Sequence, residues 1–144
     1  MARLIRSTSS SPNVLGQRLA IEMLRADVAD LEAGRTPTIL GAVKEELRRR
    51  RDAMIEVLLS LGFQVVSRHA GVPQGGIALL ARLPEGVEDD LAVIETAIDM
   101  GRFSAIPGSA FGAPGCIRFG YAGIPLEGIE RLATAIPEVL DAVH

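Results

Sequence analysis

Ile106-Pro107-Gly108-Ser109-Ala110-Phe111-Gly112-Ala113-Pro114-Gly115-Cys116-Ile117-Arg118-Phe119-Gly120-Tyr121-Ala122 sets a glycine- and proline-rich loop directly before an alternating segment that carries one arginine. Side chains on a strand point alternately to opposite faces. Ile117, Phe119 and Tyr121 therefore share one face, suited to packing against helices, and Cys116, Arg118, Gly120 and Ala122 share the other. Arg118 falls between a thiol and a glycine, with room above it that larger neighbours would fill. A guanidinium offering two parallel donors is the preferred partner of a planar carboxylate. Glycines at 108, 112 and 115 let the backbone turn and approach a ligand closely. From this chemistry alone the plainer reading leads: an edge arginine paired with a surface acid, after a simple turn.

Toward the N-terminus, apolar residues recur at helical spacing over residues 13–33 (Leu15, Leu19, Ile21, Leu24, Val28, Leu31), and Gly34 stops that helix. Residues 1–12, ending in serines, read as a tail. Thr36-Pro37-Thr38 opens a second, longer helix to about Leu61, with Leu40, Val43, Leu47, Met54, Leu58 and Leu61 on its stripe and Gly62 at its end. Residues 63–67 alternate as a strand, and Gly75-Gly76 precedes a second, buried-looking strand over 77–81. Asp89 or Asp90 caps a helix through Met100 with Leu91, Val93, Ile94, Ala97 and Ile98 inward. A short strand over 103–106 leads into the loop. Residues 125–143 form a last amphipathic helix, which Pro137 should kink or restart. The fold class that follows is α+β, an α/β sandwich of a small, largely antiparallel sheet with helices on one face.

Composition narrows the function. At 144 residues the chain is long enough for one core, and 48% hydrophobic residues with a mean hydropathy of +0.28 leave apolar surface for another chain or domain. A net charge of −3 argues against a nucleic-acid partner, as does having no Trp and one Tyr for base stacking. Arg48 to Arg51 look basic, but Glu45 with Arg49 and Glu46 with Arg50 are helical pairs that offset them. The single Cys116 allows no internal disulfide and fits a reducing compartment. No apolar run reaches membrane-spanning length, and Met1-Ala2-Arg3-Leu4-Ile5-Arg6 lacks the apolar centre of a signal peptide, so a cytoplasmic protein without a membrane partner is expected. His69, His144 and Cys116 lack metal-ligand spacing, so no metal site is expected. Ser109 has no recognisable base or acid partner and reads as a turn residue. Arginine in place of lysine and abundant alanine fit a GC-rich bacterial genome.

Pro107-Gly108-Ser109-Ala110-Phe111-Gly112, followed by Cys116-Ile117-Arg118-Phe119-Gly120-Tyr121-Ala122, resembles the C-terminal signature of class I/II aminotransferases, pyridoxal-phosphate enzymes of fold type I. Ser11-Pro12-Asn13 with Gln17 looks like the stretch opening the last helix of the family's large domain, and Arg49-Arg50-Arg51-Asp52 like its long helix into the small domain. Gln74-Gly75-Gly76 before an apolar strand and Leu83-Pro84 is similar to the family's Gly-Gly-aromatic strand, with Ile77 here in place of the aromatic. The resemblance implies that residues 1–34 end the large domain and residues 35–144 form the small one. It implies that Arg118 binds the α-carboxylate of an amino-acid or 2-oxo-acid substrate. Pro107, Gly108, Ser109, Phe111, Gly112 and Gly76 would line the site, and Asn13 would approach the cofactor of a partner subunit in a dimer.

The same resemblance defines what this chain lacks. The family needs a lysine that forms a Schiff base with pyridoxal phosphate, an aspartate at the pyridine nitrogen and a phosphate cup, all N-terminal to the matching region. Lys44, the one lysine, sits in Gly41-Ala42-Val43-Lys44-Glu45-Glu46 without a Ser/Thr-x-x-Lys context and reads as a solvated helix residue. The expectation is that the polypeptide alone holds no cofactor, has no catalytic residue of its own and is inactive. It would complete a transaminase together with the cofactor-binding half or a homodimer partner. The alternative is a non-catalytic binding module, or the tail of an aminotransferase-like transcription regulator.

Overall fold

The computed structural model describes residues 13–67, 71 and 73–143. The readings of the tail, of Ser11-Pro12, and of His69 and His144 lie outside the described residues. The chain divides into two compact units, one ending at Glu45 and the other starting at Glu46.

In the first unit, helix α1 (Val14–Glu32) starts where the Asn13 side chain accepts the Gly16 N–H at 2.8 Å. It ends before Gly34, whose φ of +70° suits a residue without Cβ. Its last turns carry acids that cap the next helix, α2 (Thr38–Ser60). Asp27, 2% exposed, accepts the N–H groups of Ile39 at 2.9 Å and Leu40 at 2.8 Å. Asp30 accepts the Thr38 N–H at 3.3 Å, the Thr38 hydroxyl at 2.9 Å and the Arg35 guanidinium at 2.7 Å. Both acids satisfy donors that a helix start leaves unpaired. The apolar positions that recur at helical spacing along α1, Leu15, Leu19, Ile21, Leu24, Val28 and Leu31, are all exposed, as are Leu40 and Val43 at the start of α2.

The second unit holds the core. α2 contributes Met54, Ile55 and Leu58 and stops at Gly62, where φ is +81°. Four strands follow in spatial order β1-β2-β4-β3, every pair antiparallel: β1 (Gln64–Val65), β2 (Ala78–Arg82), β3 (Ile106–Pro107) and β4 (Cys116–Gly120). This is the α+β arrangement that the element order predicts. β1 and β3 are shorter than the expected strands, and β3 lies at Ile106–Pro107, at the end of the segment read as a strand.

The β2–β4 register pairs Leu79 with Phe119 and Ala81 with Ile117, so these four share the buried face with Tyr121. Phe119 meets Phe63 edge-on with ring centroids 5.8 Å apart. Helix α3 (Asp90–Asp99) brings Val93, Ile94 and Ala97, and α4 (Leu126–Val143) brings Ile129, Leu132, Ile136 and Val139 at helical spacing. Each of these Val, Ile and Leu side chains contributes roughly 1.5–3 kcal/mol when fully buried. Leu91 and Ile98, expected inward, are exposed because they fall on the outer side of α3. Pro137 does not restart the last helix, which runs as one element through it.

Candidate functional site

The sheet face opposite the core presents Arg118. β4 is an interior strand, flanked by β2 and β3, so Arg118 is not an edge residue. Its cross-strand neighbours are Leu80 on β2 and Ile106 on β3. Val66 donates its N–H to Leu80 O at 2.8 Å and extends the row, so a half-buried arginine stands among aliphatic side chains. Its guanidinium makes no hydrogen bond or ion pair among the described residues. The surface acid required by the plainer reading is therefore not paired with it. A charge with five donors, flanked by apolar groups and left unpaired, is a ready partner for an incoming carboxylate.

The two sides of Arg118 along β4 differ. Toward Gly120 the face is open, since Gly120 is exposed and pairs with Ala78. Toward Cys116 it is closed, a correction to the expected open space there: Cys116 is buried. The 3-10 turn Gly108–Phe111 packs against it, and a Cβ on Gly108 would lie 2.1 Å from Ala113 O and 2.7 Å from Cys116 O. Gly108 thus serves close approach of the turn to the backbone of Ala113 and Cys116. Gly112 and Gly115 have φ of +83° and +72°, which lets the chain turn into β4.

The loop is held from outside by Asp90. Asp89 caps α3 by accepting the Leu91 and Ala92 N–H groups at 3.1 and 3.0 Å. That leaves Asp90, 4% exposed, to accept the Ser109 N–H at 2.8 Å and the Gly115 N–H at 3.0 Å. Burial pushes its carboxyl upward, but the Ser109 and Gly115 donors outweigh burial and hold it below the ordinary carboxylate value.

At the far end of β4, the Tyr121 hydroxyl donates to Gly76 O at 2.7 Å, and Gly76 has φ of +108°. Burial raises the Tyr121 hydroxyl above its usual value, so it stays a neutral donor. Arg50 donates to Ala122 O at 2.8 Å and Arg51 to Gln74 O at 2.9 Å. These two arginines are bound into the fold through backbone carbonyls. Glu46 takes Arg50 at 2.8 Å as expected, and also Arg49 at 3.6 Å in place of Glu45.

The predicted residues are distributed as follows. Gly108, Ser109, Phe111 and Gly112 lie at the Cys116 end of β4 and Gly76 at the Tyr121 end, on either side of Arg118. Pro107 pairs with Ile117 and so takes the helix-packed face, while Ile106 takes the position beside Arg118. Asn13 belongs to the other unit, where its side chain is engaged in capping α1. Leu80, Ile106 and Asp90 were missed as contributors to this site. The signal for Asp90 was present: two successive acids stand at a helix start that needs one cap. A cavity of about 230 Å³ lined by Phe103, Gly120 and Arg131 among others does not include Arg118. Among the described residues no group of three or more His, Cys, Asp or Glu could hold a metal, and no helix is long and apolar enough to cross a membrane.

The family model for aminotransferase class I and II matches residues 1–136. The chain belongs to the class I and II aminotransferases. It is 30% identical over 124 residues to a probable aspartate/prephenate aminotransferase of Aquifex aeolicus, covering 79% of this chain and 30% of that protein. It is 29% identical over 122 residues to the aspartate/prephenate aminotransferase of Thermus thermophilus, covering 85% of this chain and 29% of that protein. Among solved structures, a tetra mutant of Thermus thermophilus aspartate aminotransferase superposes with a TM-score of 0.68 at 25% identity, over 96% of this chain and 34% of that chain. The chain thus spans about 30% of the length of the curated aminotransferases it matches.

Membership in this family implies pyridoxal phosphate in a complete enzyme. The residues of this chain do not fit that group: Lys44 is exposed on a charged stretch of α2, and no other lysine is available to hold the cofactor.

Proposed function

We propose that this chain supplies the substrate-carboxylate-binding portion of a fold-type-I aminotransferase, with Arg118 as the clamp. The observation that carries the proposal is the unpaired guanidinium of Arg118, mid-strand between Leu80 and Ile106. In this reading residues 1–34 end the large domain and residues 35–144 form the small one. The exposed apolar positions of α1 are what such a division supplies, because that helix would pack on sequence outside this chain. The substrates are an amino acid and its 2-oxo acid, whose shared carboxylate is the group a guanidinium fork recognises. Aspartate and prephenate appear in the names of similar enzymes, and a carboxylate is common to both.

Pyridoxal phosphate would supply the amino-group chemistry from residues outside this chain, in a cytoplasmic dimer to which Asn13 contributes near a partner's cofactor. The part of this chain is to bind and orient. Arg118 fixes the carboxylate end of the substrate, the loop at residues 107–112 and Gly76 bound the site, and closure of the small domain excludes water.

The test is titration of the isotope-labelled 144-residue chain with 2-oxoglutarate, followed at the Arg118 guanidinium by NMR. Saturable movement of that signal, weakened about tenfold in Arg118→Lys because the fork is lost, is the expected result. A guanidinium signal indifferent to 2-oxoglutarate would refute the reading. The chain alone should hold no cofactor: titration with pyridoxal phosphate is expected to give no saturable internal-aldimine absorbance beyond that of a simple exposed amine.

A further inference from the structure

We infer that Asp90 is a positioning residue for Arg118, holding the β3 side of the carboxylate site by clamping both ends of the β3–β4 connection. Its functional consequence rests on the carboxylate reading above, and its structural content does not. The two sides of β4 are held unequally. Toward β2, five residue pairs run from Ala78↔Gly120 to Arg82↔Cys116. Toward β3 there are only two, Ile106↔Arg118 and Pro107↔Ile117, and Pro107 has no N–H to give. β3 is also an edge strand. So short a ladder specifies its own register weakly, and a slip would remove Ile106 from beside Arg118.

Asp90 supplies what the ladder lacks. Its carboxylate accepts the N–H of Ser109, just after β3, and of Gly115, the residue before β4. Gly115 is tied on its other side, where its carbonyl accepts the Leu83 N–H at 3.0 Å. Within the loop, the Ala113 N–H reaches Gly108 O at 2.9 Å. The carboxylate itself is carried on a fixed support, since the Val93, Ile94 and Ala97 side chains of α3 are buried. An ionised carboxylate can accept both N–H groups, whereas an amide turns a donor toward one of them. Asp90 therefore places Ile106 against Arg118 and keeps the turn Gly108–Phe111 over Cys116.

The experiment compares Asp90→Asn with the unaltered labelled chain by NMR, reading two cross-strand contacts and the 2-oxoglutarate titration at Arg118. The variant is expected to keep the Leu79–Phe119 contact, lose the Ile106–Arg118 contact and weaken 2-oxoglutarate about tenfold. Leu132→Ala, which weakens the core away from this loop, should leave the Ile106–Arg118 contact and the titration unchanged. Retention of the Ile106–Arg118 contact and of affinity in Asp90→Asn would overturn the inference, as would the same losses in Leu132→Ala. Should Asp90→Asn unfold the chain, Ser109→Pro removes one donor while leaving Asp90 in place, and the same readouts decide. An unaltered chain whose Arg118 ignores 2-oxoglutarate refutes the carboxylate reading, and the Ile106–Arg118 contact still decides the role of Asp90.

Discussion

Asp90 and Tyr121 hold the two ends of the strand that presents Arg118, and each does so by a different physical means. The carboxyl of Asp90 lies below its ordinary value because two backbone donors outweigh burial. A depressed folded value means that the stabilisation is complete above about pH 5 and is lost as the pH falls below about 4. Acid unfolding of the unaltered chain should therefore show a component in that window that Asp90→Asn lacks; identical pH profiles would contradict it. Tyr121 acts as a neutral donor to Gly76 O, 2.7 Å away. Tyr121→Phe leaves that carbonyl without its partner and should cost about 1 kcal/mol in urea unfolding. The alternation of residues 116–122 was readable in the sequence because strand period alone assigns faces, and it put Tyr121 in the core correctly. The identity of its partner was not readable, since Gly76 is distant in sequence and its carbonyl carries no residue-type signal.

At the scale of elements, capping and close approach decide where segments start and turn. Asp27 reaches across from α1 to cap α2, accepting two N–H groups from a buried position. Asp27→Ala should cost about 1–2 kcal/mol and speed hydrogen exchange at Ile39 and Leu40; unchanged exchange there would contradict the assignment. Gly108 has no space for a methyl group against Ala113 O and Cys116 O. Gly108→Ala should destabilise the second unit by about 1–3 kcal/mol, measured by thermal unfolding. The helices of the described residues were legible because 3.6-residue periodicity and the stops at Gly34 and Gly62 agree. β1 and β3 were misjudged in length or position because a two-residue strand has no period to read. What fixes β3 is its pairing with β4 and the grip of Asp90 on the loop, both non-local.

For the whole molecule, the fold class followed from element order, and the loop-plus-strand signature pointed to the family that the match over residues 1–136 establishes. The exposed apolar face of α1 was the part least legible: helical periodicity says which residues lie on one side, not what covers that side. In the proposed reading, Arg118, without a partner among the described residues, belongs to a site that other sequence completes. The most direct test is a chimera in which this chain replaces the matching third of Thermus thermophilus aspartate aminotransferase, assayed for transamination between aspartate and 2-oxoglutarate. The account predicts an active chimera whose kcat/KM falls about a hundredfold or more in Arg118→Ala. A chimera equally active with and without Arg118 would contradict it.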